Sequence, residues 1–187
     1  MRHSPLAYTA WGTAGLLWGA VQIAESAGIR INHTPSLAPI LWRVSPHRGP
    51  FQRGNVVSFC PPDNGIIRQA RARGYLGPGR CPSGTEPLLK RIEALGGDRV
   101  SLDDAGVAVN GILVAGTRAL RTDGRRQPIA QVGPGTWLID AGAFWAGSTA
   151  HPQSFDSRYF GPVPLSSIIG VAVPLLPRLP RAESLAD

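Results

Sequence analysis

Leu88-Leu89-Lys90-Arg91-Ile92-Glu93-Ala94-Leu95-Gly96-Gly97-Asp98 decides how the rest of the chain is read. Alternation with a period of two places Leu88, Lys90, Ile92 and Ala94 on one face of a strand. Gly96-Gly97-Asp98 then forms a tight turn, and Arg99-Val100-Ser101-Leu102 begins the next strand. Lys90 is the single lysine of the protein; Lys and Arg total 19, so the other 18 cations are arginines. A guanidinium keeps its proton near neutral pH, whereas an ammonium set among apolar neighbours can release it. Lys90 is therefore the place to look for a base. A coding bias toward arginine, with one lysine left on a solvated face, is the plainer reading of the same count.

Working outward, the strand pattern continues in both directions. Asn55-Val56-Val57-Ser58-Phe59-Cys60 reads as a β-branched strand stopped by Pro61-Pro62. Asp63 is placed to cap a short helix over Ile66 to Arg73, with Gly74 at its C-terminal end. Val107-Ala108-Val109-Asn110-Gly111-Ile112-Leu113-Val114 is a hairpin with an Asn-Gly turn. Residues 117–135 read as an exposed polar loop, 136–140 as a strand, 142–153 as a small, polar, mobile loop, and 168–173 as a final core strand. No internal repeat is present. The fold class is mainly β and antiparallel.

The chain has 187 residues, 43% of them hydrophobic, with 23 glycines and 18 prolines, which suits one loop-rich and strand-rich domain and not a helix bundle. A net charge of +7 fits an anionic membrane surface or a nucleic acid equally well. Arg68, Arg71, Arg73 and Arg80 form a basic cluster with no acid between Asp63 and Glu86, to be read as a solvated face or as a phosphate or headgroup contact. Arg2 and His3 precede a stretch without charge from Ser4 to Ala24. Its length matches one bilayer crossing, so residues 1–28 are expected to be an N-terminal transmembrane helix acting as a signal anchor, with a cleaved signal peptide and a soluble amphipathic helix as the competing readings. With Arg2 on the cytoplasmic side, residues 29–175 would then form a domain outside the inner membrane, which the resemblance given below makes a catalytic domain facing the periplasm, with 176–187 a frayed tail. Leu37, Ile40, Leu41 and Trp42 are apolar residues suited to a strand edge, a membrane-facing lip or the core.

Two cysteines, Cys60 and Cys81, and four histidines show no ligand pair at zinc spacing, and no metal or cofactor is expected. In an exported domain the two cysteines would favour a bridge; in the cytosol they would be separate thiols. A serine nucleophile needs a base within hydrogen-bond reach. His33 and His151 fall in no Ser/His/Asp pattern, whereas a neutral lysine steadied by a second hydroxyl would serve.

Ser36-Leu37-Ala38-Pro39-Ile40-Leu41 resembles the nucleophile box of the type I signal peptidases, with Leu37 and Ile40 departing from its usual Met and Thr. Lys90 to Asp98 resembles the same family's lysine box, with Gly96 in place of a proline. Ser154-Phe155-Asp156-Ser157-Arg158-Tyr159 resembles its last box. Asn32 to Ser36, Arg73 to Leu76, Cys81-Pro82 and Ser154 to Pro162 are similar to the TraF-type peptidases of conjugative transfer. The resemblance implies a membrane-anchored serine endopeptidase with a signal-peptidase-like β catalytic domain and a Ser/Lys dyad. Ser36 would be the nucleophile and Lys90 the base. Thr34 and the Ser36 N–H would form the oxyanion hole, and Ser154 would orient Lys90. Asp156 and Arg158 would support the site, and Cys60 and Cys81 fall where that subfamily has a pair. The implied partners are a pilin precursor as substrate, the inner membrane and components of a conjugative type IV secretion system, with no direct binding of nucleic acid. Cleavage would end in hydrolysis or in cyclisation of the trimmed chain. A general leader peptidase and a non-catalytic, basic, membrane-bound scaffold stay open as alternatives. A self-cleaving regulator of the same fold would need a DNA-reading helix-turn-helix, for which the N-terminal segment is too apolar.

Overall fold

The computed structural model describes residues 18, 19, 26–31, 37, 41–149 and 151–175. Thr34, Ser36, the tail from 176 and nearly all of the expected anchor fall outside the described residues. Among the described residues, no helix is long and apolar enough to cross a membrane.

Eleven strands are described: β1 (Ile29–Ile31), β2 (Leu41–Ser45), β3 (Val56–Phe59), β4 (Leu88–Leu95), β5 (Arg99–Asp103), β6 (Gly106–Val109), β7 (Ile112–Val114), β8 (Gly135–Leu138), β9 (Ala143–Gly147), β10 (Val163–Pro164) and β11 (Ile168–Pro174). They form a seven-stranded sheet in the order β1-β2-β11-β3-β4-β9-β10 and a four-stranded sheet in the order β7-β6-β5-β8. Every described pairing is antiparallel.

The Gly96-Gly97 turn carries the chain from β4 in one sheet to β5 in the other. Gly97 has φ +90°, a conformation glycine adopts at no steric cost. Asp98 closes the turn by accepting from Leu95 N–H at 2.8 Å and from Asn110 Nδ2 at 3.1 Å, and it pairs with the Arg53 guanidinium. The Arg53 hydrogen bond holds the Asp98 carboxyl down to about 2. The two sheets are thus pinned to each other at the end of the strand that bears Lys90.

Burial along β4 alternates as its pattern predicts, with Leu88, Lys90, Ile92 and Ala94 buried and Arg91 exposed. The face is not continuous, however. The pairing with β9 shifts register between Ile92 and Ala94, leaving Glu93 as the extra residue of a bulge. Leu88 and Ile92 join one core with Val57, Phe59, Ile67 and Phe144, whereas Ala94 joins a second with Val100, Val107 and Trp145. Leu37 and Trp42 are buried with Ala172, so these two apolar residues enter a core; Ile40 lies outside the described residues.

Three expectations are corrected. The segment 142–153 is not a loop throughout: Ala143–Gly147 is β9, an interior strand with Phe144, Trp145 and Ala146 almost fully buried. The cap of the first helix, α1 (Gly65–Ala72), is Asn64, whose Oδ1 accepts from Ile67 N–H at 3.0 Å. Asp63 instead pairs with Arg68 at 2.8 Å. The segment 117–135 is polar but not free. Val107 N–H donates to Thr117 Oγ1, Leu120 N–H to the Tyr159 hydroxyl and Val132 N–H to the Tyr159 carbonyl, so it is a strap tied across the molecule.

Cys60 and Cys81 form a disulfide, with Cα atoms 5.4 Å apart and a sequence separation of 21. The bridge encloses α1 and the Gly/Pro loop after it. Closing a loop of that length restricts the unfolded chain by about 3 kcal/mol in the chain-entropy model. Cys60→Ser should lower the unfolding free energy by about that amount. Reductant should lower the parent to the same level and leave the variant unmoved, as read by chemical denaturation with and without dithiothreitol.

Candidate active site

The site is built on β4. Lys90 pairs across the sheet with Val57 and keeps only 4% of its surface exposed. Its Nζ donates to Ser154 Oγ at 2.9 Å. Burial lowers the Lys90 amine from 10.5 to about 8; the Asp156 charge opposes the shift and the Arg158 charge adds to it. At pH 8 roughly half of such amines are neutral, against roughly 0.3% for a lysine at its ordinary value. The setting therefore raises the neutral fraction of the amine on the order of 10²-fold at that pH.

Ser154 is 1% exposed and is held at both ends of its backbone. Its N–H donates to the His151 carbonyl at 3.1 Å, and its carbonyl accepts from Arg158 Nη2 at 2.8 Å. The second helix, α2 (Ser157–Phe160), is a single turn capped by Asp156, whose Oδ1 also accepts from Arg158 N–H at 3.2 Å. The Asp156 carboxylate takes two further bonds from the Arg158 side chain, from Nε at 2.7 Å and from Nη2 at 2.8 Å. Arg158 Nη1 reaches the Arg118 carbonyl at 3.1 Å and so joins the strap to the site. Phe155 packs against the first core and stacks on Tyr159, with ring centroids 4.9 Å apart.

The structure thus brings Lys90, Ser154, Asp156 and Arg158 into one hydrogen-bonded group. Thr34 and Ser36 lie outside the described residues, as does His33. The His151 ring accepts from Gln153 N–H through Nδ1, in the loop before Ser154. Within the basic cluster Arg68 is paired with Asp63, Arg73 donates to the Pro128 carbonyl, and Arg71 lies over Gly84. Among the described residues, no three of His, Cys, Asp and Glu are grouped to hold a metal ion. The Tyr159 hydroxyl and the Arg118 carbonyl are partners that the sequence does not mark. A main-chain acceptor leaves no mark on residue type, and a buried tyrosine looks like core.

The chain is similar to known proteins along most of its length. The family model described as signal peptidase, peptidase S26 matches residues 6–176. The conjugal transfer protein TraF of Agrobacterium fabrum is 39% identical over 165 residues, covering 88% of this chain and 92% of that protein. A plasmid transfer protein TraF of Escherichia coli is 36% identical over 166 residues, covering 88% and 90%. A crystal structure of a signal peptidase I from Enterococcus faecalis aligns with 68% of this chain and 98% of its own, with 22% identity and a TM-score of 0.37. The chain belongs to the signal peptidase family, peptidase S26, and is a serine peptidase-type hydrolase. Within that family it is of the TraF type found among conjugal transfer proteins.

Proposed function

We propose that this protein is a membrane-anchored Ser/Lys endopeptidase that matures a pilin precursor for conjugative transfer, with its catalytic domain in the periplasm. The observation that carries the reading is the Lys90 amine, buried, lowered to about 8 and bonded to Ser154. The Cys60–Cys81 bridge supports an oxidising compartment, because such bonds persist outside the cytosol. The names of the TraF relatives support a place in conjugation.

In this reading the neutral Lys90 amine takes the proton of the Ser36 hydroxyl as its oxygen attacks the scissile carbonyl carbon. The oxyanion is held by the Ser36 N–H and the Thr34 hydroxyl. The Lys90 ammonium returns the proton to the leaving amine as the C–N bond breaks, which leaves an ester on Ser36. Water, or an amine of the substrate itself, then attacks the ester, gives its proton to Lys90 and frees the serine. Ser154 keeps the amine in line through both halves.

The test uses Ser36→Ala and Lys90→Arg in cells that make the pilin precursor. Lys90→Arg should reduce processing by about 10²- to 10⁴-fold, the usual worth of a positioned base, and Ser36→Ala, which removes the nucleophile, should reduce it at least as much. Full processing by Lys90→Arg would remove Lys90 from the mechanism. Mass spectrometry of the product distinguishes the endings: a chain lighter by one water than the trimmed polypeptide is the cyclised form.

A further inference from the structure

Ser157 lies outside the roles given above, yet its hydroxyl occupies a controlling place in the site. It is fully buried, and its Oγ accepts the Ala146 N–H of β9 at 2.9 Å. The reason lies in the length of β10. That strand has two residues, ends on Pro164, and covers only Ala143 and Phe144 of β9. Beyond them, among the described residues, the outer edge of β9 has no strand beside it, and a buried main-chain N–H without a partner is costly. Ser157 supplies the missing acceptor.

Across the strand, Ala146 is paired with Ile92 of β4, two residues from Lys90. One residue of β9 is therefore held between the strand that carries Lys90 and the helical turn that follows Ser154. Contact here is close. A Cβ on the next residue, Gly147, would lie 2.6 Å from Glu93 Cγ, so β9 can press on the β4 bulge only because position 147 has no side chain. The path from amine to hydroxyl runs Lys90, Ile92, Ala146, Ser157, Ser154, and the side chain of Ser157 joins α2 to β9 in it.

We propose that Ser157 is a positioning residue of the active site, its hydroxyl on Ala146 N–H fixing the spacing of α2 from β4 and so holding Ser154 at hydrogen-bonding range of the Lys90 amine. The inference rests on the Ser/Lys reading above. It differs from the roles of Asp156 and Arg158, which order the turn and, through Arg158, tie it to the strap; Ser157 registers the turn against the sheet.

The experiment compares Ser157→Ala and Ser157→Thr with the parent, as full-length protein in detergent. The probe is an internally quenched peptide with alanine on both sides of the scissile bond. Ile139→Val, a truncation in the second core, serves as the control for lost stability. Ser157→Ala should lower kcat by about 10- to 100-fold, because a shift of about 1 Å in a catalytic group has that scale of effect, while KM stays within about twofold. Ile139→Val should lose melting temperature without losing kcat. Ser157→Thr keeps the oxygen acceptor and should keep kcat within about fivefold of the parent, on the same scale. It also decides the matter if Ser157→Ala does not fold. Parental kcat in Ser157→Ala, or loss of kcat in Ser157→Thr equal to that in Ser157→Ala, would overturn the proposal. Lys90→Arg is run beside them. If Lys90→Arg is inactive while Ser157→Ala is fully active, only this inference falls. If Lys90→Arg is fully active, the Ser/Lys reading falls and takes the inference with it.

Discussion

Lys90→Met will be inactive and, near neutral pH, more stable than the parent. The amine is lowered from 10.5 to about 8, chiefly by burial. A displacement of that size corresponds to a cost on the order of 3 kcal/mol for keeping the charged form folded. The sign follows from counting protons. Below pH 8 both folded and unfolded chains carry the proton, and the folded protein bears the full cost. Between pH 8 and 10.5 the unfolded chain binds more protons than the folded one, so parental stability rises with pH through that window. Methionine fills similar volume and carries no charge. Its advantage is greatest below pH 8 and fades as the parent recovers. Ser154 Oγ loses its partner in the exchange, which offsets about 1–2 kcal/mol of the gain. A net stabilisation of about 1–2 kcal/mol at pH 7, gone by about pH 10, is the expected result from denaturant titrations across that range. A variant less stable than the parent at pH 7, or a difference that does not change with pH, would contradict a buried amine held against its preferred charge.

Lys90 could be read from the chain while other parts could not. Alternation along β4 is a local pattern, and it correctly assigned Lys90 to the buried side. The β6–β7 hairpin was equally readable. Asn110 and Gly111 have φ +53° and +82°, the pair of positive angles that an Asn-Gly turn supplies. β9 was not readable from Ala-Phe-Trp-Ala-Gly. A strand buried on both faces shows no polar alternation, and its small residues look like a loop until its neighbours β4 and β10 are known. The β4 bulge escaped for the same reason, because register is a property of two strands. The strap over 117–135 has the composition of a solvated loop, and main-chain bonds to Tyr159 and Arg158 hold it. The juxtaposition of Lys90 and Ser154, 64 residues apart, came from a family resemblance; nothing in spacing or periodicity would have placed them together. Asp63 and Asn64 are both good capping residues, and the choice fell to Asn64 while Asp63 paired with Arg68.

Asp156→Asn should be the most destabilising near-isosteric change in the site. Asp156 and Arg158 have 0% and 1% of their surface exposed, so solvent screens their attraction very little. Asparagine retains an oxygen that can cap α2 and accept one guanidinium N–H, but it removes the countercharge. Arg158 cannot answer by losing its proton, so an uncompensated cation remains in the interior. Breaking a buried pair in this way costs about 3–5 kcal/mol. The partner experiment separates the pair from its surroundings. Asp156→Leu combined with Arg158→Met removes both charges, and such replacements are often neutral or stabilising by themselves. Here the double variant should recover only part of the loss, because the Ser154 and Arg118 carbonyls give up the donors that Arg158 supplies. Each orphaned carbonyl costs about 1–3 kcal/mol where it is buried. The double variant should therefore be more stable than Asp156→Asn and still less stable than the parent. Activity should stay low in the double variant, because Ser154 no longer has its carbonyl fixed. A double variant as unstable as Asp156→Asn would mean that the geometry of the turn, and not the unbalanced charge, dominates the cost. A single variant within about 1 kcal/mol of the parent would mean that solvent reaches the pair after all.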